Sequence, residues 1–195
     1  MKKTNGEPTR RAELRERIEA YLDEGRQCSQ CLLLALEDVL GLRAELLSGA
    51  ARTLGRGMGG SGAVCGTLTA GMLALGLAYP SGDPEATPGS LARGGPAPAP
   101  HNEFLDAYIP SEPPVFARCR ELVAWFGAEV MARAGSINCQ DISGVHWDRP
   151  TGEELSRYFA PAGGLSHCVD LMSRTAERVA ELVLREGRRP DYRLS

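Results

Sequence analysis

Six cysteines are the residues best able to do chemistry here: Cys28, Cys31, Cys65, Cys119, Cys139 and Cys168. A deprotonated cysteine is a nucleophile, a ligand for soft metals and a partner in disulfide exchange. The first two form Cys28-Ser29-Gln30-Cys31 at the head of an apolar, helix-like run. Two cysteines three apart at a helix start bring their sulfurs toward one face, and the positive end of the helix dipole favours thiolate. Thioredoxin-like exchange would set such a pair in a βαβ unit, which the pattern lacks, and c-type haem attachment would need His where Leu32 stands. A structural zinc site would need a second closely spaced pair.

The stretch Gly57-Met58-Gly59-Gly60-Ser61-Gly62 spells a dinucleotide-binding fingerprint. Its setting excludes that role, since a helix precedes it and the acidic residue expected about 20 positions on falls at Asp83, inside a Pro/Gly-rich stretch. No lysine precedes Thr67, so it is not a Walker A loop. Successive backbone N–H groups at a helix start still form a nest for anionic groups, and Cys65 lies just beyond the loop. Close helix packing through small residues explains the same glycines equally well.

Cys139 lies in a short polar segment from Ser136 to Gly144, and Cys168 falls on the inner face of the last helix beside His167. One cysteine on each of four elements suits a buried cluster, whose ligands converge from several directions. The plainer reading is a set of scattered core cysteines, because free cysteine buries readily. Cys119 fits that reading, within the apolar stripe of Phe116, Val123 and Phe126. His167 is a reserve ligand at most, since neighbouring helical residues diverge by about 100°. His101 and His146 carry no signal, and no Ser/His/Asp arrangement is evident.

The elements that must position these residues are helical. Leu14, Ile18, Tyr21 and Leu22 follow helical spacing after a Thr9 cap, with Gly25 as stop. Helices are expected from about Cys28 to Leu40, across Leu47 to Leu54, and from about Ala63 to Leu77. The last of these has no charged residue and is expected to be buried all round. Residues 79–112 are crowded with proline and glycine and read as a surface loop inserted into one domain. A long helix follows from Pro114 to about Gly135, then a short one opened by the capping box Thr151-Gly152-Glu153-Glu154, then a last one from about Leu165 to Glu186. The expectation is a mostly α fold over 1–195, a single-domain bundle of about six helices with a long Pro/Gly-rich loop insertion, without a strand pair.

The 195 residues carry a formal net charge of −3, which gives no electrostatic reason to bind nucleic acid or an anionic membrane. No secretory signal is visible, because Arg10-Arg11 leads into Arg15-Glu16-Arg17 and not into an apolar stretch. The apolar run from Gly71 to Tyr79 is too short to span a bilayer. The expected location is the cytoplasm, where thiols stay reduced, and this turns the cysteines from disulfide staples into metal ligands or redox groups.

Together these stretches resemble the C_GCAxxG_C_C family of putative redox-active proteins. The resemblance runs through Gln27-Cys28-Ser29-Gln30-Cys31, the glycine loop with Cys65-Gly66-Thr67-Leu68-Thr69-Ala70-Gly71, then Gly135-Ser136-Ile137-Asn138-Cys139, and Cys168. In the family pattern a Cys-Gly-Ala stretch is followed three residues later by Gly. Here Thr67 and Ala70 take those places, with Gly71 one step late, and Cys31 and Cys119 look like additions.

The resemblance implies a redox role with an iron–sulfur cluster as the candidate cofactor. The expected cofactor-binding residues are Cys28, Cys65, Cys139 and Cys168, with Cys31 able to stand in for Cys28 as metal ligand. The electron partner is unspecified and a homodimer is compatible with the sequence. Two other readings remain open: a cluster-free thiol–disulfide oxidoreductase using Cys28 and Cys31, and a binding or structural protein with inert buried cysteines.

Overall fold

The computed structural model describes residues 9–42, 45–79 and 114–185. Within them the chain forms α1 (Arg10–Asp23), α2 (Cys28–Leu40), α3 (Glu45–Ala51), a 3-10 turn (Arg52–Leu54) and α4 (Gly66–Ala78). After residues 80–113 come α5 (Pro114–Ala134), α6 (Cys139–Ser143), α7 (Gly152–Phe159) and α8 (Gly164–Leu184). The fold is mostly α, and among the described residues no helix is long and apolar enough to cross a membrane.

Local sequence explains where the helices start and stop. The Thr9 side chain accepts from the Ala12 N–H, and Thr151 accepts from the Glu154 N–H at 3.2 Å while Glu154 accepts from the Thr151 N–H at 2.8 Å. Gly41 ends α2 and Gly144 ends α6, each in the left-handed conformation that only glycine adopts without cost.

The α8 helix is the organising element, packing against α1, α2, α4, α5, α6 and α7. Leu14 and Ile18 of α1, Leu32 and Leu36 of α2, Leu68 and Leu75 of α4, Leu122 and Phe126 of α5, and Met172 and Val179 of α8 make one continuous core. The α4 helix is pinched within it at Gly71, where a β-carbon would stand 2.9 Å from Leu122 Cδ2 and 3.3 Å from Val179 Cγ2. On the outside, Asp170 of α8 binds Arg11 of α1 at 2.8 Å, and Arg174 of α8 pairs with Glu129 of α5. Such half-buried pairs at the surface add little stability each.

Several expectations are corrected. The fourth helix begins at Gly66 and not near Ala63, because the preceding residues are extended. Val64 forms an isolated antiparallel bridge with Asn138, too short to be visible as a strand pattern. The α4 helix is not buried all round: Met72, Leu73 and Leu77 are half-buried and Gly76 is exposed. Phe116 is exposed, so the buried stripe of α5 is Leu122, Phe126 and Val130. Tyr79, at the edge of the expected loop, is buried and its hydroxyl donates to Leu182 O at 3.0 Å. The rest of that loop lies outside the described residues, as does the expected end of the last helix at Glu186.

Between the 3-10 turn and α4 the backbone makes an unusual left-handed passage. Arg56, Gly57, Met58, Gly59 and Gly60 all have positive φ, as does Gly62. Gly57 and Gly60 separate conformational strain from crowding. Both are left-handed, but a β-carbon on Gly57 would stand 2.6 Å from Ala63 O and Gly62 C, whereas at Gly60 it meets nothing within 4 Å. Gly60→Ala is expected to cost about 1 kcal/mol, and Gly57→Ala about 3 kcal/mol or more. Denaturant midpoints compare them, and equal losses would show that packing of the loop onto itself contributes nothing.

Candidate functional site

Four of the six cysteines sit at or near the beginnings of helices. Cys28 is the first residue of α2, Cys65 caps α4, Cys139 is the first residue of α6, and Cys168 lies just beyond the first turn of α8. Side chains near a helix start lean toward the N-terminus, where the dipole is positive and backbone N–H groups are free. All four line one cavity of about 310 Å³.

Specific contacts bring each sulfur there. The bridge between Val64 and Asn138 is flanked by Cys65 N–H donating to Ile137 O at 3.0 Å and Cys139 N–H donating to Ala63 O at 2.7 Å. Cys65 and Cys139 are thereby fixed side by side by backbone alone. Gln140 N–H donates to Gly62 O at 3.1 Å, and the Gln140 side chain fills the space where a β-carbon on Gly62 would lie.

Cys28 is fixed through its neighbours. Ser29 and Gln30 are buried, and they donate to Ala51 O at 2.6 Å and Ser48 O at 3.0 Å, tying the start of α2 to α3. Gly66 gives the Cys28 sulfur room, since a β-carbon there would stand 3.2 Å from Cys28 Sγ and 2.5 Å from Leu54 O.

The remaining two cysteines lie elsewhere. Cys31 is fully buried and does not line the cavity; its thiol donates to Arg26 O at 3.6 Å. The C-x-x-C pair is therefore divided, one sulfur in the cavity and one in the core. Cys119 is half-buried on α5 and packs against the core. His167 is exposed on α8 and outside the cavity, and His146 is exposed and paired with Glu154 at 2.6 Å.

Hydrogen-bond donors surround the four sulfurs. The backbone N–H groups of Arg56 and Ser29 face Cys28. The Thr67 N–H, the Thr67 hydroxyl and the Leu68 N–H face Cys65. The Trp147 indole N–H, which donates to Ser143 Oγ at 3.1 Å, also faces Cys139. The Tyr158 hydroxyl faces Cys168.

Thr67, Trp147 and Tyr158 were not read from sequence as donors to the sulfurs. Trp147 and Tyr158 sit on segments with no cysteine, so nothing local links them to the site. Thr67 had one available signal, a hydroxyl two residues beyond a cysteine at a helix start.

Every thiol in the group holds its proton more tightly than a free cysteine. Burial is the first cause throughout, followed for three of them by the charge of neighbouring sulfurs. Cys28 is pushed up to about 11 by burial and by Cys65. Cys168 is pushed up to about 12 by burial, Cys65 and Cys28, against the lowering effect of Tyr158. Cys65 is raised by burial, and Cys139 by burial and by the other three sulfurs. All six cysteines are free thiols. Among the described residues, no three His, Cys, Asp or Glu side chains are placed to hold a single metal ion.

The family model of the "Putative redox-active protein (C_GCAxxG_C_C)" family matches residues 26–182, which include all four cavity cysteines. The chain belongs to this family. Cys31 and Cys119, which do not line the cavity, also fall within the matched residues. No curated protein and no solved structure matches the chain.

The thiol shifts have a direct consequence for stability. Unfolded thiols ionise near their ordinary value of 9.0, whereas the folded Cys28 and Cys168 hold their protons to about 11 and about 12. For groups raised on folding, the contribution to stability is complete below the unfolded value and is lost as pH rises through the folded one. Metal-free, reduced protein should therefore have a lower urea midpoint at pH 10 than at pH 8. The drop should shrink in a Cys168→Ala protein, and an equal drop in both would remove Cys168 as a contributor.

Proposed function

We propose that this member of the redox-active family holds an iron–sulfur cluster through Cys28, Cys65, Cys139 and Cys168, for electron transfer or redox sensing. The observation that carries the proposal is that these four cysteines, and neither of the other two, meet in one cavity at the positive ends of helices. When bound, such a cluster supplies an electron-accepting centre whose potential depends on hydrogen bonds to sulfur and on burial.

The residues present fit that group. A single ion requires its donors within about 2.3 Å of one point, and the described residues offer no such set. A cluster spreads its thiolates over several irons, so its ligands stand farther apart. Buried, mutually repelling thiols are poor thiolates by themselves, and a multivalent cation is what deprotonates them outright. The N–H and O–H groups of Arg56, Thr67, Trp147 and Tyr158 then serve the anionic sulfurs as hydrogen-bond donors.

The same facts weigh against the thiol–disulfide alternative. Exchange needs a thiolate, and burial pushes Cys28 to about 11 and Cys31 to about 12, while Cys31 points away from the cavity. A reducing cytoplasm suits a site that works through free thiols, with a separate electron carrier as its partner.

Anaerobic purification or reconstitution, followed by iron and acid-labile sulfide analysis and an absorption spectrum, tests the proposal. Wild-type protein is expected to carry iron and sulfide. Cys65→Ala, Cys139→Ala and Cys168→Ala should each lose most of it, and Cys28→Ala should weaken binding strongly. Cys31→Ala and Cys119→Ala should retain it. A colourless wild-type protein without iron after reconstitution would remove the proposal, and full iron retention in folded Cys65→Ala would remove this site.

A further inference from the structure

The short helix α7 bears no cysteine, yet it delivers a side chain to the site. Tyr158 lines the cysteine cavity and also a second, more polar depression of about 220 Å³ bounded by Arg133, Glu154 and Arg157. The phenol ring is thus the partition between the sulfurs and the surface at this point.

Three features hold it there. Its ring meets Trp147 edge-on with centroids 5.2 Å apart, and Phe159 at 5.0 Å. Gly164, the first residue of α8, leaves room for the ring, because a β-carbon there would stand 2.5 Å from Tyr158 Cδ2 and 2.7 Å from Ser143 O. Gly163 is equally confined, its β-carbon position lying 2.2 Å from Arg157 O. The turn between α7 and α8 therefore clamps the ring against the start of the helix that carries Cys168, in the cavity that both residues line, with the hydroxyl toward the Cys168 sulfur.

We propose that Tyr158 is a positioning residue, donating an O–H···S bond that orients Cys168 and raises the reduction potential of the centre that sulfur ligates. This rests on the cluster reading above. A donor to a ligating sulfur withdraws electron density from it and stabilises the reduced, more negative state of the cluster. Gly164 serves the same end by admitting the ring.

The experiment compares wild type, Tyr158→Phe and Tyr158→3-fluorotyrosine as full chains, reconstituted anaerobically and titrated for midpoint potential alongside iron content. The phenylalanine keeps the ring and its packing and removes the donor, so iron should be retained and the potential should fall. The fluorinated phenol is a stronger donor in the same place, so its potential should rise above wild type. Unchanged potentials with iron retained would overturn the proposal. If Tyr158→Phe fails to fold or take up iron, the fluorotyrosine protein decides, an upward shift supporting the proposal and no shift overturning it.

If wild type itself takes up no iron, the cluster reading fails and the bond is judged on iron-free protein. There Cys168 should be alkylated more slowly relative to Cys139 in Tyr158→Phe than in wild type, and an unchanged ratio would overturn the bond.

Discussion

The site depends on two residues of extended chain. Among the described residues, the bridge between Val64 and Asn138, with its flanking bonds from Cys65 N–H and Cys139 N–H, is the one place where segments some seventy positions apart are registered by backbone hydrogen bonds. Helix packing alone locates side chains loosely, because helices slide and rotate within a scatter of crossing angles. A backbone bridge does not slide, since a shift of one residue would reverse which side chains face the cavity. The left-handed passage from Arg56 to Gly62 serves this bridge by turning the chain so that Ala63–Cys65 arrives extended beside Ile137–Cys139. The same passage carries the Arg56 N–H to the Cys28 sulfur and sets the Arg56 guanidinium 5.0 Å from the Trp147 ring centroid. One stretch of backbone thus touches the surroundings of three of the four cysteines.

The arrangement carries an electrostatic conflict. Burying four thiols together raises the cost of ionising any of them, while helix starts and N–H donors are features that favour negative charge. Burial wins in the metal-free protein, as the upward shifts of Cys28, Cys139 and Cys168 state. The donors act against burial at every sulfur, through Ser29 and Arg56 at Cys28, Thr67 at Cys65, Trp147 at Cys139 and Tyr158 at Cys168.

The helices were legible because each carries its own signals. Caps at Thr9 and Thr151, stops at Gly41 and Gly135, and the apolar spacing of α1 and α8 are local properties of sequence. The convergence of Cys28, Cys65, Cys139 and Cys168 was readable only as one alternative among others, because it depends on how α2, α4, α6 and α8 meet. Two things were hidden for physical reasons. A one-residue bridge has no periodicity, so Val64 and Asn138 gave no strand signal. The division of Cys28 from Cys31 is set by Ser29 and Gln30, whose side chains anchor α2 to α3 and decide which face turns inward. Spacing alone puts both sulfurs within reach of one face, and those anchors together with the packing of α2 on α1, α4 and α8 choose between them.

Thr67, Ala70 and Gly71 each have a physical role at the start of α4. Ala70 is fully buried within the core. The tight contact of this helix lies at Gly71, which faces Leu122 and Val179. One residue along a helix is a rotation of about 100°, so the close approach serves the packing of α4 against α5 and α8. Thr67 bears on the site itself. It is buried, it lines the cavity, and its hydroxyl faces Cys65, where alanine would offer no donor. A buried hydroxyl is costly unless it is bonded, so its presence here is explained by the sulfur it meets. Between two chains alike in all else, the one with this threonine would hold Cys65 more readily as thiolate. Thr67 therefore acts on the chemistry of the sulfur.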